Sequence, residues 1–94
     1  MEIERVLLDH PDIAEAAVIG IADERWGEVG RAFIVVKSGR VLDPTALASH
    51  CAAHIARYKV PKQFLLIEEL PRTASGKIQK HVLRAWTAPD GQRV

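Results

Sequence analysis

The sequence predicts a small α+β domain, in which a three-stranded sheet is packed with helices in the element order α-β-β-α-β-α. Three observations support this class. The 94 residues are enough for one domain with one modest core. Three short apolar runs, at 13–21, 32–37 and 63–68, have the length and composition of strands. Around these runs, other apolar residues recur at helical spacing.

The first half of the chain predicts one helix and two strands. The helix is indicated by three apolar residues at helical spacing and is limited by a proline: Ile3, Val6, Leu7 and Pro11. The run 13–21 is small and apolar, which predicts a strand buried on both faces. Residues 32–37 predict the second strand. The segment 23–30, which carries charges and glycines, is predicted to be the loop between them.

The second helix has a clear start signal. Asp43 can cap the helix, and Pro44 suits its first position. A buried stripe follows, formed by Leu47, Cys51 and Ile55. His50 and His54 lie four residues apart on another face, but no glutamate adjoins the first and no third ligand is evident. We therefore predict no metal site.

The composition excludes several classes of function. A net charge of +1 with 27% charged residues gives no signature of nucleic-acid or membrane binding. No apolar run approaches the ~20 residues of a membrane span, and the start has no basic targeting segment. Cys51 is the single cysteine and cannot form an internal disulfide. The sequence therefore predicts a cytoplasmic protein with a packed, inert thiol.

The segment 71–80 (Pro-Arg-Thr-Ala-Ser-Gly-Lys-Ile-Gln-Lys) is the candidate site. Ser75 is predicted to cap a helix opened by Lys77, in which Ile78, Val82 and Trp86 recur every four residues. A cation in a first helical turn opposes the helix dipole by roughly 0.3–1 kcal/mol, and such local conflicts often mark working residues. Lysine, the hydroxyls of Thr73 and Ser75, and free N–H groups suit a phosphate-like ligand. Gly76 permits a tight turn.

Three other interpretations of this segment are conceivable. A P-loop is excluded, because Pro71 and Ile78 occupy the positions of its first glycine and its hydroxyl residue. A solvated lysine on a surface turn remains open. So does a stand-alone α+β module that uses the lysine-rich turn to bind an anionic partner.

The motif 71–77 resembles the closing motif of the adenylate-forming (AMP-binding) enzymes, which include acyl-CoA synthetases, peptide-synthetase adenylation domains and luciferases. Four further segments resemble the C-terminal domain of that family, in its order and approximate spacing: 2–4, 10–11 with 14–20, 23–28 and 56–62. The resemblance covers roughly residues 2–85 and is greatest to the acyl-CoA synthetases and fatty-acid–CoA ligases.

The resemblance implies that residues 1–86 are the C-terminal domain of such a ligase and that an N-terminal AMP-binding domain is missing. Residues 87–94 are polar and interrupted by Pro89 and Gly91, which predicts a disordered tail. Lys77 would be catalytic, supported by Thr73, Ser75 and Gly76. It would enter the larger domain's site while a carboxylic acid attacks Mg-ATP to give an acyl-adenylate and pyrophosphate. CoA would then displace AMP. The isolated domain is not expected to be active alone.

The resemblance also implies further contacts. Trp26, Tyr58 and Lys59 would approach CoA, although Val60 stands where some relatives have a phosphate-binding arginine. In some bacterial relatives a lysine acetyltransferase modifies the residue that matches Lys77. A peptide-synthetase-type domain that loads a carrier-protein thiol is the alternative enzyme. The acid itself is not predicted, because its pocket would lie in the missing domain.

Overall fold

The computed structural model describes residues 2–25 and 27–85, and the predicted element order is confirmed there. The elements are α1 (Glu2–Leu8), β1 (Ile13–Asp23), β2 (Gly27–Val36), α2 (Pro44–Ala52), a 3-10 turn (Arg57–Lys59), β3 (Gln63–Leu66) and α3 (Lys80–Ala85). Trp26, Trp86 and the tail predicted at 87–94 lie outside the described residues.

The sheet has the strand order β1-β2-β3 and combines two kinds of pairing. β1 and β2 form a long antiparallel hairpin, in which Ala17 lies opposite Phe33. β3 is parallel to β2, and Leu65 lies opposite Phe33 from the other side. A parallel pair needs a crossover connection, and the segment containing α2 and the 3-10 turn provides it. This explains why a helix separates the second strand from the third.

The sheet is buried on both faces, as the apolar run in β1 predicts. One face packs against α1 and α2, and the other packs against α3 and the segment that precedes it. The core on the first face contains Val6, Leu7, Ile13, Ala16, Val18, Ala32, Ile34, Leu42, Leu47, Cys51 and Phe64. The core on the second face contains Ala17, Ile19, Phe33, Leu65, Leu70 and Leu83. Leu83 is the buried residue of α3, so the second core holds the element that follows the candidate site.

The segment 23–30, predicted as a loop, is mostly strand. β1 continues to Asp23 and β2 already begins at Gly27. The prediction was wrong because it relied on glycines and charges, whereas two hairpin strands can satisfy each other's backbone groups without apolar side chains. Gly20 and Gly30 face each other across this extension.

The predicted start of α2 is confirmed. The Asp43 carboxylate accepts a hydrogen bond from the Thr45 N–H at 2.9 Å. Cys51 is fully buried, and this burial raises the pKa of its thiol. A raised pKa lowers the thiolate fraction, which favours an inert packing role.

His50 in α2 and His54, just after its end, make structural hydrogen bonds. His50 Nε2 lies 2.7 Å from the carbonyl oxygen of Val6, to which it donates. His54 Nδ1 donates to the carbonyl oxygen of His50 at 2.9 Å. Within the described part of the chain, no group of three or more candidate ligands could hold a metal ion. The same part contains no helix that is both long and apolar enough to cross a membrane.

Candidate catalytic lysine turn

Lys77 lies on a tight turn, and not in the first turn of a helix as predicted. Arg72 and Ile78 pair as an isolated antiparallel bridge. Between them, the Thr73 N–H donates to the Lys77 carbonyl oxygen at 2.8 Å. Helix α3 begins only at Lys80. The helix-dipole argument for Lys77 was therefore wrong, because the free N–H groups of α3 start further along the chain.

Ser75 does not cap a helix either. Its hydroxyl lies 2.9 Å from the hydroxyl of Thr73, which also accepts from the Lys77 N–H at 3.1 Å. The Gly76 N–H donates to the Thr73 carbonyl oxygen at 2.9 Å. These bonds occupy the two hydroxyls and two of the N–H groups that were predicted to bind a phosphate. The turn is therefore an internally bonded support for Lys77 rather than an anion-binding nest.

Gly76 is required by the backbone of the turn. Its φ is +91°, a region that residues with a side chain rarely adopt. A Cβ atom at this position would meet no atom within 4 Å, so the requirement is conformational and not steric. Gly39, in a separate turn after β2, combines a φ of +78° with the same open surroundings.

The Lys77 side chain is exposed and available to a ligand. Within residues 2–25 and 27–85, its ammonium group takes part in no ion pair or side-chain hydrogen bond. By contrast, Lys80 pairs with Glu4 at 2.9 Å and Lys59 pairs with Glu2 at 3.2 Å. An anionic ligand could therefore bind the Lys77 ammonium without breaking an ion pair within the described part of the chain.

Arg72 ties the turn to the sheet, a contact that the sequence analysis missed. Its Nη1 donates to the Gly76 carbonyl oxygen at 2.7 Å, and its Nη2 pairs with the Glu15 carboxylate. Glu15 is the only charged residue in the apolar run 13–21, and it lies at an irregularity in the register of β1. A lone carboxylate in a buried strand was the signal that could have revealed this contact.

The residues predicted to contact CoA lie in a different region from Lys77. Tyr58 and Lys59 belong to the 3-10 turn and line a groove of about 740 Å³ beside the β1–β2 hairpin. Tyr58 is 82% exposed, and the Lys59 ammonium lies 5.9 Å from the centre of its ring. The residues that line this groove include none from the turn 72–78. Trp26, the third predicted contact, lies outside the described residues.

Comparison with known proteins identifies the domain. The sequence model of the AMP-binding enzyme C-terminal domain matches residues 2–77, and the match ends on the lysine of the turn. The chain belongs to this family. The matched range contains α1, the complete sheet, α2 and the turn that carries Lys77.

Relatives of this C-terminal domain include ligases and synthetases. It is 49% identical over 87 residues to an indoleacetate–CoA ligase of Aromatoleum aromaticum, across 93% of this chain and 17% of that protein. The solved fatty acyl CoA synthetase of Mycobacterium tuberculosis is 42% identical with a TM-score of 0.82, across 88% of this chain and 16% of that one. The solved amide bond synthetase McbA of Marinactinospora thermotolerans is 35% identical with a TM-score of 0.87, across 90% of this chain and 17% of that one. The chain thus spans about one sixth of the length of these relatives.

Proposed function

We propose that this chain is the mobile C-terminal domain of an ATP-dependent acyl-CoA synthetase. The complete enzyme would convert a carboxylic acid, Mg-ATP and CoA into an acyl-CoA, AMP and pyrophosphate. The observation that carries the proposal is the exposed Lys77 ammonium, without an ionic partner among the described residues, on a turn tied to the sheet. The names of the CoA-ligase relatives support the choice of reaction.

Lys77 would act in the first half-reaction. The acid's carboxylate attacks the α-phosphate of ATP, the bond to the pyrophosphate leaving group breaks, and an acyl-adenylate forms. Two anions have to approach each other, and a fixed ammonium near both reduces their repulsion and stabilises charge in the transition state. Lysine suits this task because its charge is compact and carries three donors. As the family resemblance implies, Mg²⁺ would enter with ATP and be bound mainly in the N-terminal domain.

We propose CoA as the acceptor in the second half-reaction. The groove beside Tyr58 and Lys59 supports this choice, since an exposed aromatic ring and a cation suit a base and phosphate groups. Trp26 would be a third contact. An acceptor other than CoA is the alternative, because the relatives include an amide bond synthetase. A carrier-protein thiol, as in a peptide-synthetase-type domain, is the other alternative.

Removal of the domain tests the proposal. The ligase that contains this chain should exchange pyrophosphate into ATP when its acid is supplied, and a version that ends before Glu2 should lose that exchange. The isolated chain should bind neither ATP nor CoA at millimolar concentration in calorimetry. Tight binding of either ligand to the chain alone would favour the stand-alone anion-binding module and contradict the proposal.

Gly76→Ala and Gly39→Ala should have different effects on activity. Both substitutions place a side chain at a positive φ in open surroundings, so each should lower the free energy of unfolding by about 1–2 kcal/mol. Only Gly76→Ala should also slow adenylation, because it distorts the backbone directly before Lys77. Chemical denaturation and pyrophosphate exchange in the intact ligase measure the two effects. Equal exchange rates for both variants would contradict this role of the turn.

We also propose that a lysine acetyltransferase acts on Lys77. The exposed, unpaired ammonium in the described structure supports this, and acetylation would remove the charge on which adenylation depends. Mass spectrometry of the protein from its native cells should find acetylated Lys77, and deacetylation should restore adenylation. Exclusively unmodified Lys77 across growth conditions would contradict the proposal. A cytoplasmic location is proposed as well, supported by the free, buried Cys51.

A further inference from the structure

Two ion pairs flank the Lys77 turn, one on each side. Arg72 precedes the turn and pairs with Glu15 on β1. Lys80 follows it and pairs with Glu4 on α1 at 2.9 Å. The pairs therefore connect the two ends of the turn to two different elements of the domain.

The Arg72 guanidinium makes the more direct connection. Its Nη1 donates to the carbonyl oxygen of Gly76, the residue covalently bonded to Lys77, while its Nη2 pairs with Glu15. One rigid, planar group thus fixes the distance between the tip of the turn and the sheet. A lysine at this position offers a single nitrogen and lacks the fork that reaches both partners.

Glu4 makes the second connection. Its Oε2 accepts from the backbone N–H of Val18 at 2.8 Å and from the Lys80 ammonium at 2.9 Å. Among the strands that the structure describes, β1 lies at the edge of the sheet, so this N–H has no strand partner there on that side. The Glu4 carboxylate therefore joins α1, β1 and the start of α3 at one point.

These ion pairs are better suited to orienting the Lys77 turn than to raising the free energy of unfolding of the domain. The Arg72 and Glu15 side chains are 39% and 34% exposed, and ion pairs at such exposure contribute little to folding. The internal bonds of the turn already close its backbone from Thr73 to Lys77. Those bonds join residues of the turn to one another, whereas the Arg72 bridge joins the turn to the sheet.

We propose that Arg72 and Glu15 are positioning residues for the adenylation lysine, with Lys80 and Glu4 as a second anchor. This proposal rests on the proposed function of Lys77. The bridge holds the turn in one orientation before the domains meet. The Lys77 ammonium then reaches the nucleotide of the N-terminal domain without a further change in the orientation of the turn. A displacement of about 1 Å at a reacting group is enough to slow a reaction roughly hundredfold.

Variants of the intact ligase test the proposal. Arg72→Gln and Glu15→Gln should each lower the kcat of adenylation by about tenfold to hundredfold, with the KM for ATP changed little. Both should leave unchanged the formation of acyl-CoA from a supplied acyl-adenylate. Arg40→Gln is the matched control, because it breaks another arginine–carboxylate pair, with Asp12 at 3.6 Å, that includes no residue of the turn. Its adenylation rate should equal that of the parent enzyme.

A double variant separates positioning from a structural role. If Arg72 acts through Lys77, then Arg72→Gln should cause no further loss of adenylation in the Lys77→Ala background. A further loss there, an equal loss in both half-reactions, or an unchanged kcat in the single variants would overturn the proposal. If Lys77→Ala itself left adenylation intact, the proposed function would fail first, so the two failures are distinguishable.

Discussion

Replacement of Lys77 by alanine is expected to reduce adenylation in the intact ligase to a small residual rate while largely sparing acyl-CoA formation from a supplied acyl-adenylate. The ammonium would be needed only where the carboxylate and the α-phosphate approach each other. Removal of a single preorganised electrostatic group from such a site lowers the rate by about 10²–10³-fold. Single-turnover measurements of the two half-reactions, with radiolabelled acid and with prepared adenylate, give the two rates separately.

A remote lysine provides the control for this prediction. Lys37 is exposed at the end of β2, and Lys37→Ala should leave both half-reactions unchanged. Equal losses in the two half-reactions of Lys77→Ala would refute the role assigned to Lys77, since a residue specific to adenylation cannot slow the attack of CoA on an adenylate that is already formed.

Replacement of Phe33 by alanine is expected to have the largest effect on stability. Phe33 is fully buried at the middle of the central strand, between Ala17 on β1 and Leu65 on β3. Its truncation should lower the free energy of unfolding by about 3–5 kcal/mol through lost burial and the cavity left behind. A domain of this size has only about 5–15 kcal/mol to lose. Urea denaturation of the 94-residue chain measures the change.

This loss should extend to the candidate site. Phe33 shares its core with Leu83 of α3 and with Ile78, which ends the turn of Lys77. Val41→Ala is the control, because Val41 is 93% exposed and its truncation should change the free energy of unfolding by less than about 0.5 kcal/mol. If Phe33→Ala were as mild as Val41→Ala, the assignment of Phe33 to the centre of the core would be wrong.

Local signals in the sequence predicted most of the fold. The apolar run of β1 predicted a strand buried on both faces, and Asp43-Pro44 predicted the start of α2. Both signals depend on residues within a few positions of each other. The strand content of 23–30 was missed because hairpin pairing is a contact between distant residues, and Gly27 and Gly30 carry no apolar side chain to indicate it.

The sequence predicted which residue is central to the candidate site, but not the backbone conformation around it. Lys77 was identified from its motif, yet it was assigned to a helix because Ile78 and Val82 lie four residues apart. Ile78 in fact packs against the core from an extended bridge with Arg72, so its apolar character does not reflect helical periodicity. The Arg72–Glu15 pair spans 57 positions. The lone carboxylate in the apolar run 13–21 indicates that Glu15 needs a partner, but no residue near it in the sequence identifies Arg72 as that partner.

The position of the Lys77 ammonium in the intact ligase tests the central claim most directly. A crystal structure with a non-hydrolysable acyl-adenylate analogue should place Nζ of Lys77 about 2.7–2.9 Å from an oxygen of the phosphate or of the acyl group. The same structure should keep the pairing of Arg72 with Glu15 described here. A structure in which Lys77 points into solvent, while another cation contacts those oxygens, would contradict the account.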